Sequence, residues 1–319
     1  MISFIIRRFV TIIPMLLVVS FLVYTGLELM PGDPISFIAS PDAMANTSPE
    51  RLEELRESLG LNDPFFIRYI HWLGGIFQGN FGYSIVSGVP IIDIVKSRLP
   101  ATLELSFAAI VISLLFGCLL GIISALKRGT WTDHTITVFG MIGLSIPEFL
   151  FGLVFLLVFS IQLDWLPIGG RMLPGYDSFW DRVPHLVMPS LVLGIAMIAG
   201  VMRYARSSML DVLHKDFIRT ARSKGLPNWK VYLVHGFRVA LTPVVVLVGF
   251  RLPMLIGGSV VIEQIFQWPG LGTEFIGAVR GQNYSLVMMI ALLYVSIVMV
   301  ASFLVDLLTA LLDPRIRFR

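Results

Sequence analysis

The sequence predicts an all-α polytopic membrane protein with six transmembrane helices, and three observations carry that prediction. Hydrophobic residues make up 56% of the 319, charged residues 14%, and mean hydropathy is +0.83. A chain folded in water carries about 25% charged residues, because its surface must be solvated. Lipid is therefore part of the solvent here, which excludes a soluble enzyme, a disordered tail and a nucleic-acid binder. The second observation is a set of apolar runs of at least ~18 residues, each long enough to cross a bilayer as a helix. The third is the placement of charge. With the N-terminus in the cytoplasm, the inner side holds fifteen basic and four acidic residues, the outer side eight and thirteen. That asymmetry sets the orientation and puts both termini in the cytoplasm.

In chain order, Phe9–Leu29 is the first run. Arg7 and Arg8 precede it, but it is too long for a signal-peptide core and no A-x-A site follows, so it reads as a retained helix. Pro31 to Arg98 is a long outer loop that opens on the turn Pro31-Gly32-Asp33-Pro34. Ser48 caps a helix there, with Pro49 in its first turn, Glu50, Glu53 and Glu54 near its positive end, and Gly60 at its stop. Asp63-Pro64 starts a second helix rich in aromatics: Phe65, Phe66, Tyr69, Trp72 and Phe77. Such a helix suits the headgroup layer, or a surface that receives an external partner.

The next runs are Ala101–Leu126 and Thr135–Leu163. Gly117 and Gly121 form a G-x-x-x-G step suited to close helix packing, and Cys118 between them is a small apolar packing residue. Pro147 predicts a kink whose freed carbonyls face a cavity, with Glu148 directly after it; Pro189, Pro243 and Pro253 offer similar breaks. Leu186–Tyr204, Leu241–Ile262 and Leu286–Leu308 complete the six. Arg251 lies in the middle of the fifth, where an arginine needs a partner or water. It pairs with an acid such as Glu148, or the two line a translocation path.

The inner loop from 203 to 240 is basic and helical. Val212, Leu213, Phe217, Ile218 and Ala221 fall near helical spacing, and Leu226-Pro227-Asn228 breaks the helix and caps another. On its own this is a basic hairpin lying on anionic lipid, or a surface another protein approaches closely at Ala221 and Gly225. The sequence has no G-x-x-x-x-G-K-[ST], no H-E-x-x-H, no pair of histidines at metal-ligand spacing and no catalytic constellation.

Asp216-Phe217-Ile218-Arg219-Thr220-Ala221-Arg222-Ser223-Lys224-Gly225 resembles the "EAA" loop of bacterial ABC importer permeases, most closely its dipeptide/oligopeptide/nickel branch. Other segments resemble that branch in order. They are Pro31-Gly32-Asp33-Pro34, Gly60-Leu61-Asn62-Asp63-Pro64, Gly79-Asn80-Phe81-Gly82, Arg98-Leu99-Pro100-Ala101-Thr102, Ser145-Ile146-Pro147, Trp268-Pro269-Gly270-Leu271-Gly272 and Leu312-Asp313-Pro314-Arg315-Ile316-Arg317. Arg219 stands where the general pattern has Glu, and Arg238 where it has Pro.

The resemblance implies the type I ABC importer permease fold, in three parts: residues 1–30 as the cytoplasmic end and first helix, 31–99 as an extracytoplasmic lobe, and 100–319 as the permease core. It implies a non-catalytic pore subunit in the bacterial inner membrane. Its partners would be a second homologous permease, two ABC ATPase subunits that hold ATP and Mg, and an external binding protein that delivers peptides. This chain would bind no cofactor or metal of its own. The coupling role falls on Asp216, Phe217, Arg219, Thr220, Ala221, Arg222, Lys224 and Gly225, and the candidate path residues are Glu148 and Arg251. A self-sufficient transporter or channel driven by an ion gradient is the alternative, and it leaves the basic inner loop without a task.

Overall fold

The computed structural model describes residues 2–29, 48–58, 60, 62–172, 175 and 178–312. The Pro31-Gly32-Asp33-Pro34 turn, Leu61 and the tail from Asp313 lie outside them.

In chain order the helices are α1 (Ile2–Glu28), α2 (Pro49–Ser58), α3 (Phe65–Phe77), α4 (Ile91–Leu126) and α5 (Trp131–Ser145). Next come α6 (Glu148–Phe155), prolonged by a π-helical stretch Leu156–Gln162, then α7 (Phe179–Leu213) and α8 (Asp216–Ser223). A second π-helical stretch, Lys230–Phe237, leads into α9 (Arg238–Ile265), followed by α10 (Leu271–Arg280) and α11 (Tyr284–Leu312). Each of the apolar runs lies on one or two of these helices. Four stretches are long and apolar enough to cross a bilayer: Ile91–Leu126, Phe179–Leu213, Lys230–Arg251 and Tyr284–Leu307. The bent pair α5–α6 makes a fifth if counted as one crossing, and α1 carries the shorter apolar stretch Val10–Gly26.

The described residues fall into two compact units. One comprises residues 1–102 and 269–300. Its core gathers Ile91, Val95, Leu271, Ala278, Leu286 and Ile290. The aromatic helix α3 turns one face onto α1: Phe65 meets Phe21 edge-on at 5.8 Å, Trp72 lies 5.2 Å from Tyr24, and the Tyr69 and Ser20 hydroxyls are 2.8 Å apart. Its other face leaves Phe66, Ile70 and Phe77 exposed. Thus the aromatics divide between internal packing and the surface. The Leu271 N–H donates to the Thr102 hydroxyl at 2.8 Å, and Arg98 pairs with Glu274 at 3.0 Å. These bonds fix α10 against the start of α4.

The second unit comprises residues 103–268 and 301–319, and α7 runs through it against α5, α6 and α9. Its 35 residues extend for about 52 Å at 1.5 Å each, well past a hydrocarbon core of about 30 Å. The inner stretch from 203 begins as the end of this same helix, which continues to Leu213. Gly117 and Gly121 do pack closely, their faces lying against Val201 and Ala205 of α7.

The third apolar run is broken, α5 and α6 meeting at 100°. Pro147 lacks an N–H and holds the preceding residue out of the helical region, and Ile146 is extended at φ −92°, ψ 130°. Pro189, Pro243 and Pro253 make no such break, contrary to expectation, since α7 and α9 run continuously through them. A missing proline bond inside a long helix is tolerated when neighbouring helices hold both flanks, whereas before Pro147 the chain leaves the helical region at Ile146 and a new helix begins.

Candidate functional site

The short helix α8 forms where its ends suit the backbone. Asp216 sits in the first turn, near the positive end of the helix dipole, and Arg222 in the last. Gly225 then adopts φ +74°, the left-handed conformation that L side chains resist. Its N–H donates to the Arg222 carbonyl at 2.9 Å, and the Leu226 N–H reaches back to the Ala221 carbonyl at 3.4 Å. That pair of bonds is a Schellman ending, and Leu226 packs beside Ala221 as the motif favours.

Two faces result. Ile218 (0% exposed) and Ala221 (6%) are buried among Ala125, Met209, Val212 and Val231. Asp216, Phe217, Arg219, Thr220, Arg222, Lys224 and Gly225 are exposed. The small side chain of Ala221 therefore serves the chain's own core, and the opening for close approach by another surface lies at Gly225, where nothing stands within 4 Å of a β-carbon position. Arg219 lies 3.7 Å from Asp216, but with side chains 75% and 97% exposed the pair contributes little and both remain presented to solvent. The Arg222 guanidinium sits 5.7 Å over the Tyr232 ring, which gives it a preferred direction.

Behind α8 lies a polar knot that the sequence reading counted merely as inner-side charges. Asp133, at the start of α5, is 4% exposed. Its Oδ1 accepts from Arg206 Nε at 2.9 Å and its Oδ2 from Arg206 Nη2 at 2.8 Å. The Gly129 N–H donates to Oδ2 at 3.0 Å, and the Ser124 hydroxyl donates to Oδ1. Arg206 Nε also approaches Ser124 Oγ at 3.0 Å. One signal pointed here: an acid just before one apolar run and an arginine just after another, both at the same membrane face. Sequence alone gives no means of pairing them.

Glu148 is half-buried and opens α6 directly after the break, where a helix N-terminus favours a carboxylate. The charge of Arg251 acts on it, so the structure brings the two candidate path residues into one electrostatic neighbourhood. Among the described residues no three of His, Cys, Asp and Glu converge as metal ligands.

Comparison with known proteins gives a consistent result. Residues 117–318 match the family described as binding-protein-dependent transport system inner membrane component, and residues 1–106 match the N-terminal part of such membrane components. The chain is 41% identical over 320 residues to the oligopeptide transport system permease protein AppB of Bacillus subtilis (strain 168), covering 100% of each. It is 37% identical over 319 residues to the glutathione transport system permease protein GsiC of Escherichia coli (strain K12), again covering 100% of each. Among solved structures, a chain of the MetNI methionine ABC transporter in an inward-facing conformation superposes with a TM-score of 0.56 at 16% identity. That match covers 70% of this chain and 97% of the other. A chain of an amino acid ABC transporter with histidines gives 0.52 at 16%, over 68% and 94%. At these identities the likeness is one of fold.

Proposed function

Since the chain belongs to the family of binding-protein-dependent transport system inner membrane components, we propose that α8 is the helix through which it takes up the stroke of an ATPase. As a family member it is a non-catalytic membrane permease subunit of an ATP-driven importer, and ATP hydrolysis belongs to a separate subunit. The observation that carries the coupling reading is the division of α8 into two faces. Its apolar face is seated on the chain's own core, while Arg219, Arg222 and Lys224 project outward beside the open backbone at Gly225. A basic, shallowly anchored helix of this kind suits an acidic-rimmed groove on a partner.

The full assembly in this reading has this permease, a second homologous one, two ATPases holding ATP and Mg, and an external binding protein. Residues 31–99 form the lobe beneath that binding protein, and both termini lie in the cytoplasm. The cargo is a peptide, a reading supported by relatives named for oligopeptide and glutathione transport. Substrate passes between the two permeases, with Glu148 and Arg251 the candidate path residues. Gentle purification of the tagged chain from its native membrane tests the assembly. Recovery of two P-loop ATPases and a second permease supports it; a chain that emerges alone or as a homo-oligomer, under conditions that keep known complexes whole, favours gradient-driven transport.

A further inference from the structure

The Asp133–Arg206 knot lies outside α8 and outside the candidate path, yet it ties together α4 and α7, two of the helices whose residues seat α8. Asp133 and Gly129 hold the turn between α4 and α5, Ser124 lies in the last turn of α4, and Arg206 lies on α7. From the pair, two routes run to α8. Along α7, Met209 and Val212 follow Arg206 on the way to Leu213; along α4, Ala125 follows Ser124. Met209, Val212 and Ala125 all belong to the cluster that seats Ile218 and Ala221.

Apolar contacts alone let helices slide and rotate, because they have no preferred direction. A guanidinium gripping both oxygens of one carboxylate does have one, and it fixes rotation as well as distance. The Asp133 carboxylate is surrounded by donors from a hydroxyl, a backbone N–H and two guanidinium nitrogens. Pulling Arg206 away would strand a buried acid, so the grip holds under load. Nor is there slack beside it. A β-carbon at Gly121 would stand 2.7 Å from the Met202 carbonyl oxygen and 3.1 Å from the Arg206 nitrogen, so α4 and α7 are already in backbone contact at this level.

We propose that Arg206 and Asp133 are positioning residues that make the α4–α5 turn, the end of α7 and α8 move as one piece, so that displacement of α8 reaches the membrane helices undiminished. The proposal rests on the coupling reading of α8. In a transporter lacking the pair, hydrolysis continues and α8 yields locally without moving α7.

The test uses the whole transporter in proteoliposomes with its binding protein, and a labelled tripeptide that the wild-type complex takes up. It reads tripeptide transported per ATP hydrolysed in complexes carrying Asp133→Asn, Arg206→Gln or both. Each single variant is expected to assemble and to lower that ratio about fivefold or more, and the double variant to be no worse than either. A merely structural pair would lower yield and thermal stability and leave the ratio of the surviving complexes unchanged, which overturns the proposal. Should neither variant assemble, Arg206→Lys decides, since it keeps the charge but not the two-pronged grip. A reduced ratio supports the proposal; a wild-type ratio, or failure of this variant also to assemble, overturns it. Arg219→Glu on α8 separates the two claims. If it changes neither assembly, hydrolysis nor uptake, the coupling reading itself fails. If it uncouples while the Asp133 and Arg206 variants keep the wild-type ratio, the clamp alone fails.

Discussion

A β-carbon at Gly121 would lie 2.7 Å from Ala205 Cβ, whereas one at Gly200 would meet nothing within 4 Å. Gly121→Leu is accordingly expected to destabilise the purified protein by about 1–3 kcal/mol, and Gly200→Ala to leave it within about 0.5 kcal/mol. Melting curves in detergent check both. Arg251→Leu should lower uptake about tenfold, roughly 1.4 kcal/mol in the barrier, with assembly intact; unchanged uptake kinetics would sink the path reading. At this scale the sequence spoke unevenly. The G-x-x-x-G step announced close packing because spacing on one helix suffices to show it. Ala221 was legible as a small residue, but the face it turned was not, since that depends on how α8 sits on Met209 and Val212. Asp133 was hidden for a plainer reason: its partner is distant in sequence, and an ion pair across helices leaves no local period.

Among the elements, α8 depends most on one backbone conformation. Gly225→Val forces a β-branched residue into φ +74° and should cost about 1–2 kcal/mol or open the Schellman ending, whereas Gly225→Asn should be milder. Hydrogen exchange at the α8 amides reads the difference, with faster exchange expected in the valine variant; equal protection in both would show that the ending does not hold the helix. Helix existence was legible for the apolar runs, α2, α3 and the inner stretch, because apolar runs and caps are local signals, whereas α10 carries neither and went unread. The fate of prolines was not legible. Pro147 breaks its run and Pro243 does not, although both are prolines in apolar surroundings. Neighbouring packing decides the outcome, and packing is written in tertiary contacts. The inner stretch from 203, read as helical, begins as the end of α7, which keeps its hydrogen bonds to Leu213.

For the molecule as a whole, the proposed docking of α8 on an ATPase predicts an electrostatic step, because its basic residues are exposed. Binding of the ATPase subunits to the solubilised permease should weaken as salt rises from about 0.05 M to about 0.5 M, and Arg222→Gln should flatten that dependence. Affinity indifferent to salt in the wild type would remove charge from the account of docking. The membrane class was written in the composition, since too few charges to solvate a surface is a property of the whole chain. The two compact units were not, because one of them joins residues 1–102 to 269–300 across the intervening sequence. Long-range joins of this sort also give the protein a schedule. Asp133 and Arg206 are 73 residues apart. At ~5–20 residues per second, the acid leaves the ribosome roughly 4–15 s before its arginine. Until then the carboxylate has Ser124, Gly129 and water as donors but no cation to balance it, so the turn before α5 forms without its tie to α7. This end of the molecule is completed late, when α7 arrives, and a ribosome stalled between the two residues would leave a half-made protein whose acid at the membrane face lacks its arginine.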